Sequence, residues 1–351
     1  MSRRIASAPG KLVVAGEYAV LEGHPALVAA VDRRARVDLR RGADHLTVTG
    51  LFSSDQGQGH GPFRVNDTGT GVEILGDAHD TMRLVRAVLD ELLRRDVPLP
   101  TGNLTLDSSA LGTVELGDQA LKLGLGSSAA AAAALVCAVA AEAGADEFLA
   151  DPFPVAYAAH LAFSTGRGSG IDVAASSRGG LVRFRRTDDG PQLAEAGRLP
   201  SDLAVAVVFS GHSQDTRAFL DETNRLKQSA RALYDDVIGE QAEATARFLD
   251  ALDAQDTRSL IEAADQSRRA MQRLGEAAGI DIVSAPHQAI ADAAASIGGS
   301  AKPSGAGGGD VALAFAPADK KDALLAALRG AGFGAVRLAL GAIGPRSEEV
   351  T

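Results

Sequence analysis

Apolar and polar positions change rhythm several times along the chain, and each change marks an element. Residues 5–40 alternate short apolar runs with glycine and charge, as half-buried strands and hairpins do. Residues 42–80 are rich in Gly, Asp and Thr and predict turns around short strands. In TMRLVRAVLDELLRR (81–95), Leu84, Val85, Val88, Leu89, Leu92 and Leu93 share one helical face. Its arginines fall at the C-terminal end, where the helix dipole favours cations. NLTLDSS (103–109) predicts a strand, and KLGLGSSAAAAAALVCAVA (122–140) a Gly/Ser loop running straight into an alanine-rich helix. A helix is predicted over 153–163, then a Gly-rich turn, STGRGSGIDVAAS. The polar segment 186–202 is the candidate domain boundary. Beyond it come a buried strand, LAVAVVFS (203–210), long helical patterns over 217–274, and a third Gly-rich turn, KPSGAGGGD. The strand VALAFA (311–316), the helix DKKDALLAALRG and the strand AVRLAL follow.

This order predicts α+β layers rather than strictly alternating βα units. With 351 residues the size favours two domains, taken as 1–190 and 191–351. No internal repeat is present, and the alanine tract at 129–134 reads as a closely packed helix.

Composition narrows the function classes. A content of 46% apolar and 23% charged residues is that of a folded globular protein. A net charge of −10, without a dense Lys/Arg cluster, argues against a nucleic-acid binder. The single cysteine, Cys137, cannot form an intrachain disulfide and reads as a small buried hydrophobe, which fits a reducing cytoplasm. Pro9, Gly10, Lys11 and Glu17 interrupt any signal-peptide core. The apolar run from Ala129 to Ala141 is too short to span a bilayer, so a soluble cytoplasmic protein without a membrane partner is expected.

The glycine loops carry the candidate chemistry. Gly124-Leu125-Gly126-Ser127-Ser128-Ala129 satisfies G-x-G-x-x-A, but a dinucleotide site needs a buried strand just before it. The preceding VELGDQALK is polar, and the acidic residue expected about twenty positions on is missing. Walker A is absent as well, since Gly10-Lys11 is followed by Leu12. A phosphate site at a helix N-terminus remains: unpaired N–H donors, glycines that let an anion approach, the Ser127 and Ser128 hydroxyls, and the charge of Lys122. Two more features support it. Lys11 lies in a Pro-Gly turn at the head of a strand, and glycines stand at 305, 307, 308 and 309. Asp172, in a Gly/Ser turn, is a candidate base or orienting group, while His160 reads as a satisfied core residue. No spacing such as HExxH or CxxC points to a structural zinc.

In this order and spacing, APGKLVVAGEYAVLEGHPAL, GLGSSAAAA and KPSGAGGGDVALAF resemble the three motifs of the GHMP kinase superfamily, and the likeness covers nearly the whole chain. Within it, GEYAVLEG with Tyr18, GRGSGIDVAASSRGG, Asp310 and FSGHSQDTR (209–217) are closest to the phosphomevalonate kinase branch. The alanines after Ser128 are shared with mevalonate kinases. The resemblance implies a ribosomal-protein-S5-like N-terminal domain and a ferredoxin-like C-terminal one, with ATP and acceptor in the cleft between them. It also implies ATP-dependent, Mg2+-assisted phosphorylation of 5-phosphomevalonate by a monomer or homodimer, with mevalonate or another small molecule as the alternative acceptor.

On this resemblance Lys11 and Asp172 correspond to the family's catalytic lysine and aspartate. Lys122, Gly124, Leu125, Gly126, Ser127 and Ser128 are expected at the triphosphate, with Ser128 a candidate Mg2+ ligand. Lys11, Tyr18, Arg167, Ser169, Ser213, Thr216, Arg217, Gly307 and Gly308 are expected at the acceptor.

Overall fold

The computed structural model describes residues 3–42, 45–51, 58–65, 69, 71–74, 80–116, 119–122, 124–166, 168–211, 216–309, 311–336 and 338–350. The alternating N-terminal pattern forms two long antiparallel strands, Arg3–Ala15 and Ala26–Arg40. Among the described residues they belong to a nine-stranded sheet. Its order is Gly190–Glu195, Leu181–Thr187, Ala26–Arg40, Gly102–Asp107, Leu46–Leu51, Gln58–Val65 and Val72–Ile74. Arg346–Val350 joins this sheet by pairing with the first strand. A second, four-stranded antiparallel sheet has the order Ser300–Pro303, Val311–Pro317, Leu203–Phe209, Ala335–Val336. The α+β layering expected from the sequence is present.

By sheet membership the large layer takes in Gly190–Glu195 and Arg346–Val350, both beyond the division drawn at residue 190. The polar stretch 186–202 therefore includes one arm of a hairpin. Among the described residues of AVRLAL, Ala335–Val336 pairs in the small sheet, while Leu340 bridges to Val31 of the large one.

The helix Ser127–Ala143 runs beneath the two long strands, with Ala129 to Ala134 all buried. Alanine suits this place because it keeps the helix stable while letting it lie close to the sheet. Cys137 is buried on the same helix, and burial pushes its thiol up to about 11, which keeps it protonated and inert. The amphipathic helix Asp80–Leu93 buries Val85, Val88, Leu89 and Leu92. Arg94 and Arg95 lie just past its last residue and pair with Glu91.

The helical run 217–274 resolves into Thr216–Ser229, Arg231–Asp253 and Thr257–Ala278, the last capped by Asp256 accepting from Arg258 N and Ser259 N. Two helices of eight or more residues were not foreseen. Ile171–Arg178 grows out of what reads as a turn, and Ala285–Ala295 covers the small sheet with Ile290, Ala291 and Ala294.

Candidate functional site

Lys11 lies inside the first strand rather than at a turn before it, because pairing with Ala26–Arg40 carries the chain through Pro9-Gly10 as a strand with a register shift. Gly10 is needed there: a Cβ would stand 2.5 Å from Leu111 Cδ2 and 2.7 Å from Leu125 O. The strand thus presses against the Gly/Ser loop. Lys11 N donates to Leu125 O at 2.9 Å and Lys11 Nζ to Gly124 O at 3.0 Å. Gly126, at φ +72, starts the helix Ser127–Ala143, and a Cβ on it would meet Lys11 Cγ at 2.9 Å. The ammonium group is therefore held beside a helix N-terminus whose first N–H groups have no intrahelical acceptor.

The aspartate turn approaches from the other side. Gly170, at φ +79, begins the helix Ile171–Arg178, and a Cβ on it would collide with Tyr157 Cε2 at 2.2 Å. Only glycine allows that approach. Asp172 sits in the first turn, where Oδ1 accepts from Val173 N at 3.0 Å. Its Oδ2 is 3.8 Å from His160 Nε2, and the same nitrogen is 3.0 Å from Ser128 Oγ. His160 is therefore part of the site and not a core residue. Its apolar neighbours on Phe153–Phe163 concealed this; the available signal was Tyr157, three residues earlier on the same helical face. Ser169 is buried, and its Oγ accepts from Ile171 N at 3.3 Å.

The small sheet supplies the third wall. Tyr18 takes φ 60, and its hydroxyl donates to Ala306 O. Burial, helped by the nearby Glu17 charge, pushes that hydroxyl well above the usual tyrosine range, so it stays a donor. Lys302, fully buried, donates to Glu17 Oε1, to Val14 O at 3.2 Å and to Pro303 O at 2.8 Å. Ser304 Oγ adds a bond to Val13 O at 2.8 Å. Neither Glu17 nor Lys302 was singled out from the sequence, and no local pattern could pair residues 285 positions apart.

These walls enclose a cavity of about 190 Å³ lined by Lys11, Tyr18, His160, Ser169, Asp172 and Ala306 among others. Ser127 and Ser128 open the helix beside it. Gly307 and Gly308 face Ile282, while Gly305 lines the cavity. Arg217 is exposed on Thr216–Ser229, the helix that contributes Leu220 to the lining. Arg167, Ser213 and Asp310 lie outside the described residues, as do the side chains of Lys122 and Thr216.

The arrangement has the parts of a phosphoryl-transfer site: a glycine-flanked helix N-terminus, a fixed cation and a carboxylate around one cavity. A hard divalent cation would find hydroxyl and carboxylate oxygens in Ser128 and Asp172, which fits Mg2+. Among the described residues no group of three or more His, Cys, Asp or Glu could hold a metal by itself.

Comparison with known proteins agrees with that chemistry. A family model described as GHMP kinases N terminal domain matches residues 83–180. A phosphomevalonate kinase of Streptomyces sp. (strain CL190) is 30% identical over 341 residues, 89% of each chain. The chain is a GHMP kinase. A mevalonate kinase of Aeropyrum pernix is 30% identical to this GHMP kinase over 57% of each chain. The fold matches that of Streptococcus pneumoniae phosphomevalonate kinase in complex with phosphomevalonate and AMPPNP. The TM-score is 0.74 at 19% identity, over 96% of this chain and 99% of that one. As a GHMP kinase the protein is a phosphotransferase with the two-domain α+β fold of that family. No helix among the described residues is long and apolar enough to cross a membrane.

Proposed function

We propose that this GHMP kinase transfers the γ-phosphoryl group of ATP to 5-phosphomevalonate, giving 5-diphosphomevalonate. The observation that carries the reading is the likeness to a phosphomevalonate kinase over 89% of both chains. Tyr18 supports it, standing where mevalonate kinases usually have a histidine.

A phosphomonoester has a second pKa of about 6 and is largely dianionic at neutral pH. It needs no base to become a nucleophile. It needs cations that let two anions meet, and a fixed geometry. In this reading Gly124, Leu125, Gly126, Ser127 and Ser128 hold the triphosphate with Lys122. Lys11, pinned on Gly124 O, offers its charge between donor and acceptor phosphates. Mg2+, held by Ser128 and the phosphates, would supply further charge neutralisation. Asp172 orients the cationic groups. Ser169 and Tyr18 shape the acceptor end, where Arg167, Ser213, Thr216 and Arg217 are assigned to the acceptor's phosphate. Gly307 and Gly308 act by carrying Gly305 and Ala306 to the cavity.

An alcohol acceptor such as mevalonate is the second reading. The Asp172–His160 contact favours it, because an alcohol must lose a proton to a nearby group.

A coupled ADP-release assay with both acceptors separates the two, and phosphomevalonate should turn over faster. With it, Lys11→Ala should lower kcat by about 10²–10³-fold, the scale of removing a fixed electrostatic donor, and Asp172→Asn should cost clearly less. Equal losses, with a pH profile governed by one carboxylate, would favour the alcohol.

A further inference from the structure

His160 is a polar side chain that the proposed transfer does not use, and it touches the two parts that the transfer brings together. One atom, Nε2, is 3.0 Å from Ser128 Oγ on the phosphate helix and 3.8 Å from Asp172 Oδ2 on the aspartate helix. Its own helix, Phe153–Phe163, packs against both Ser127–Ala143 and Ile171–Arg178. The same face carries Tyr157, whose ring occupies the space over Gly170. The His160 ring is lodged beside Phe163, at 6.2 Å between centroids; 14% of its side chain is exposed, and it lines the cavity.

A serine hydroxyl in the first turn of a helix is a free rotor with one proton and two lone pairs. When its proton goes to an imidazole nitrogen, both lone pairs stay available and their direction is fixed. Lys11 already fixes the carbonyl side of the same loop through Gly124 O. The loop is thus held at two points, by a cation on its carbonyl and by an imidazole on its hydroxyl.

We propose that His160 is a positioning residue: by accepting from the Ser128 hydroxyl it ties down the phosphate loop and aims that oxygen at the cation-bound triphosphate, from a helix that also packs against the Asp172 helix. The inference rests on the phosphotransferase reading, whichever acceptor is used. It also explains why a histidine is placed on a helix otherwise made of Ala, Leu, Phe, Val, Tyr and Pro.

The test is titration calorimetry of the full chain with AMPPNP, with and without Mg2+, which needs no acceptor and no turnover. His160→Leu keeps the bulk and removes the hydrogen bond, so it should weaken Mg–AMPPNP binding about tenfold, the scale of one hydrogen bond to a functional hydroxyl. His160→Gln, whose amide reaches a similar position, should restore most of the affinity, while the shorter His160→Asn should not. Because Ser128 and His160 act as a unit, the double variant Ser128→Ala/His160→Leu should bind no worse than Ser128→Ala.

Wild-type-like binding by His160→Leu, or penalties that add in the double variant, would overturn the tie while leaving the kinase reading intact. Failure of the wild-type protein to bind AMPPNP would sink the kinase reading and the tie with it. Thermal midpoints separate either result from misfolding. If His160→Leu melts without cooperativity, the Gln-against-Asn contrast decides.

Discussion

The loop Gly124–Ser128 and the loop Gly305–Gly309 look alike in sequence, and each touches residues that line the cavity, yet they use glycine for opposite ends. In the first, what a Cβ at Gly126 would meet is the flexible side chain of Lys11, at 2.9 Å. In the second, a Cβ at Gly307 would stand 2.3 Å from a backbone carbonyl, Ile282 O, which also accepts from Gly308 N at 2.8 Å. One loop leaves room around a lysine and a helix N-terminus. The other closes a joint between the small sheet, the helical layer and the first strand. A glycine run therefore marks a close approach, and only its neighbours say whether a ligand or the protein itself approaches.

The joint should be the more sensitive of the two to loss of stability. Its centre is Lys302, fully buried on Glu17, whose Oε2 has no hydrogen-bond partner among the described residues. Removing one member of such a pair strands a buried charge, so Lys302→Met should cost about 3–5 kcal/mol in denaturant unfolding. Adding Glu17→Gln should recover part of that loss. A single-variant cost below about 1 kcal/mol, the range of an exposed ion pair, would mean that the joint does not hold the layers.

The glycines themselves give the sharper contrast. Gly307→Ala, at φ +78 against a carbonyl, should destabilise by about 3 kcal/mol, the upper range for single substitutions. Gly126→Ala, at φ +72 against a movable side chain, should cost only about 1–2 kcal/mol of left-handed strain. It should lower kcat/KM about 10²-fold, because Lys11 is displaced. Paired unfolding curves and steady-state rates check both. If the two variants lose stability and activity in the same proportion, the loops are not functionally distinct.

The sequence pattern made legible what depends on near neighbours. The helix Phe153–Phe163 and the strands Leu203–Phe209 and Val311–Pro317 follow from periodicity and bounding turns. The helix Ser127–Ala143 follows from its glycine start and alanine run. What was hidden depends on partners far along the chain. Pro9-Gly10 reads locally as a turn, and only pairing with the second long strand makes it part of a strand. Lys11 and Gly124 are 113 residues apart, and Ser128 and His160 are 32 apart on different helices. The strand Arg346–Val350 lies beyond the last element the pattern predicts and is defined by its pairing with Arg3–Ser7. At the site, Lys11, Tyr18, Ser169 and Asp172 were legible because their motifs are continuous; Glu17, His160 and Lys302 were not, since each gains its role from a contact across the fold.

The joint should also respond to acid. His287 is buried on Ala285–Ala295 with Nδ1 3.1 Å from Ser284 Oγ, and the Gly309 backbone and the Lys302 charge act on it. Burial pushes its pKa down to about 4, the nearby Lys302 charge adds to this, and the Gly309 backbone opposes it. The folded protein thus holds His287 neutral while the unfolded chain takes up a proton below about 6.5. Its folded pKa is depressed, so the stabilisation is complete above about pH 6.5, declines as the pH falls toward 4, and changes no further below that. The part lost by pH 5 should be about 1–2 kcal/mol, from about 1.4 kcal/mol per unit with allowance for relaxation. Glu22, held below its usual range by Lys227 and Tyr234 against the opposing effect of burial, adds an acid-side loss that begins lower, near 4.5. His287→Gln should therefore flatten the stability profile between pH 6.5 and 5 while keeping the further decline below it. An unchanged slope in that window would show that the third loop rests on something other than a neutral buried histidine.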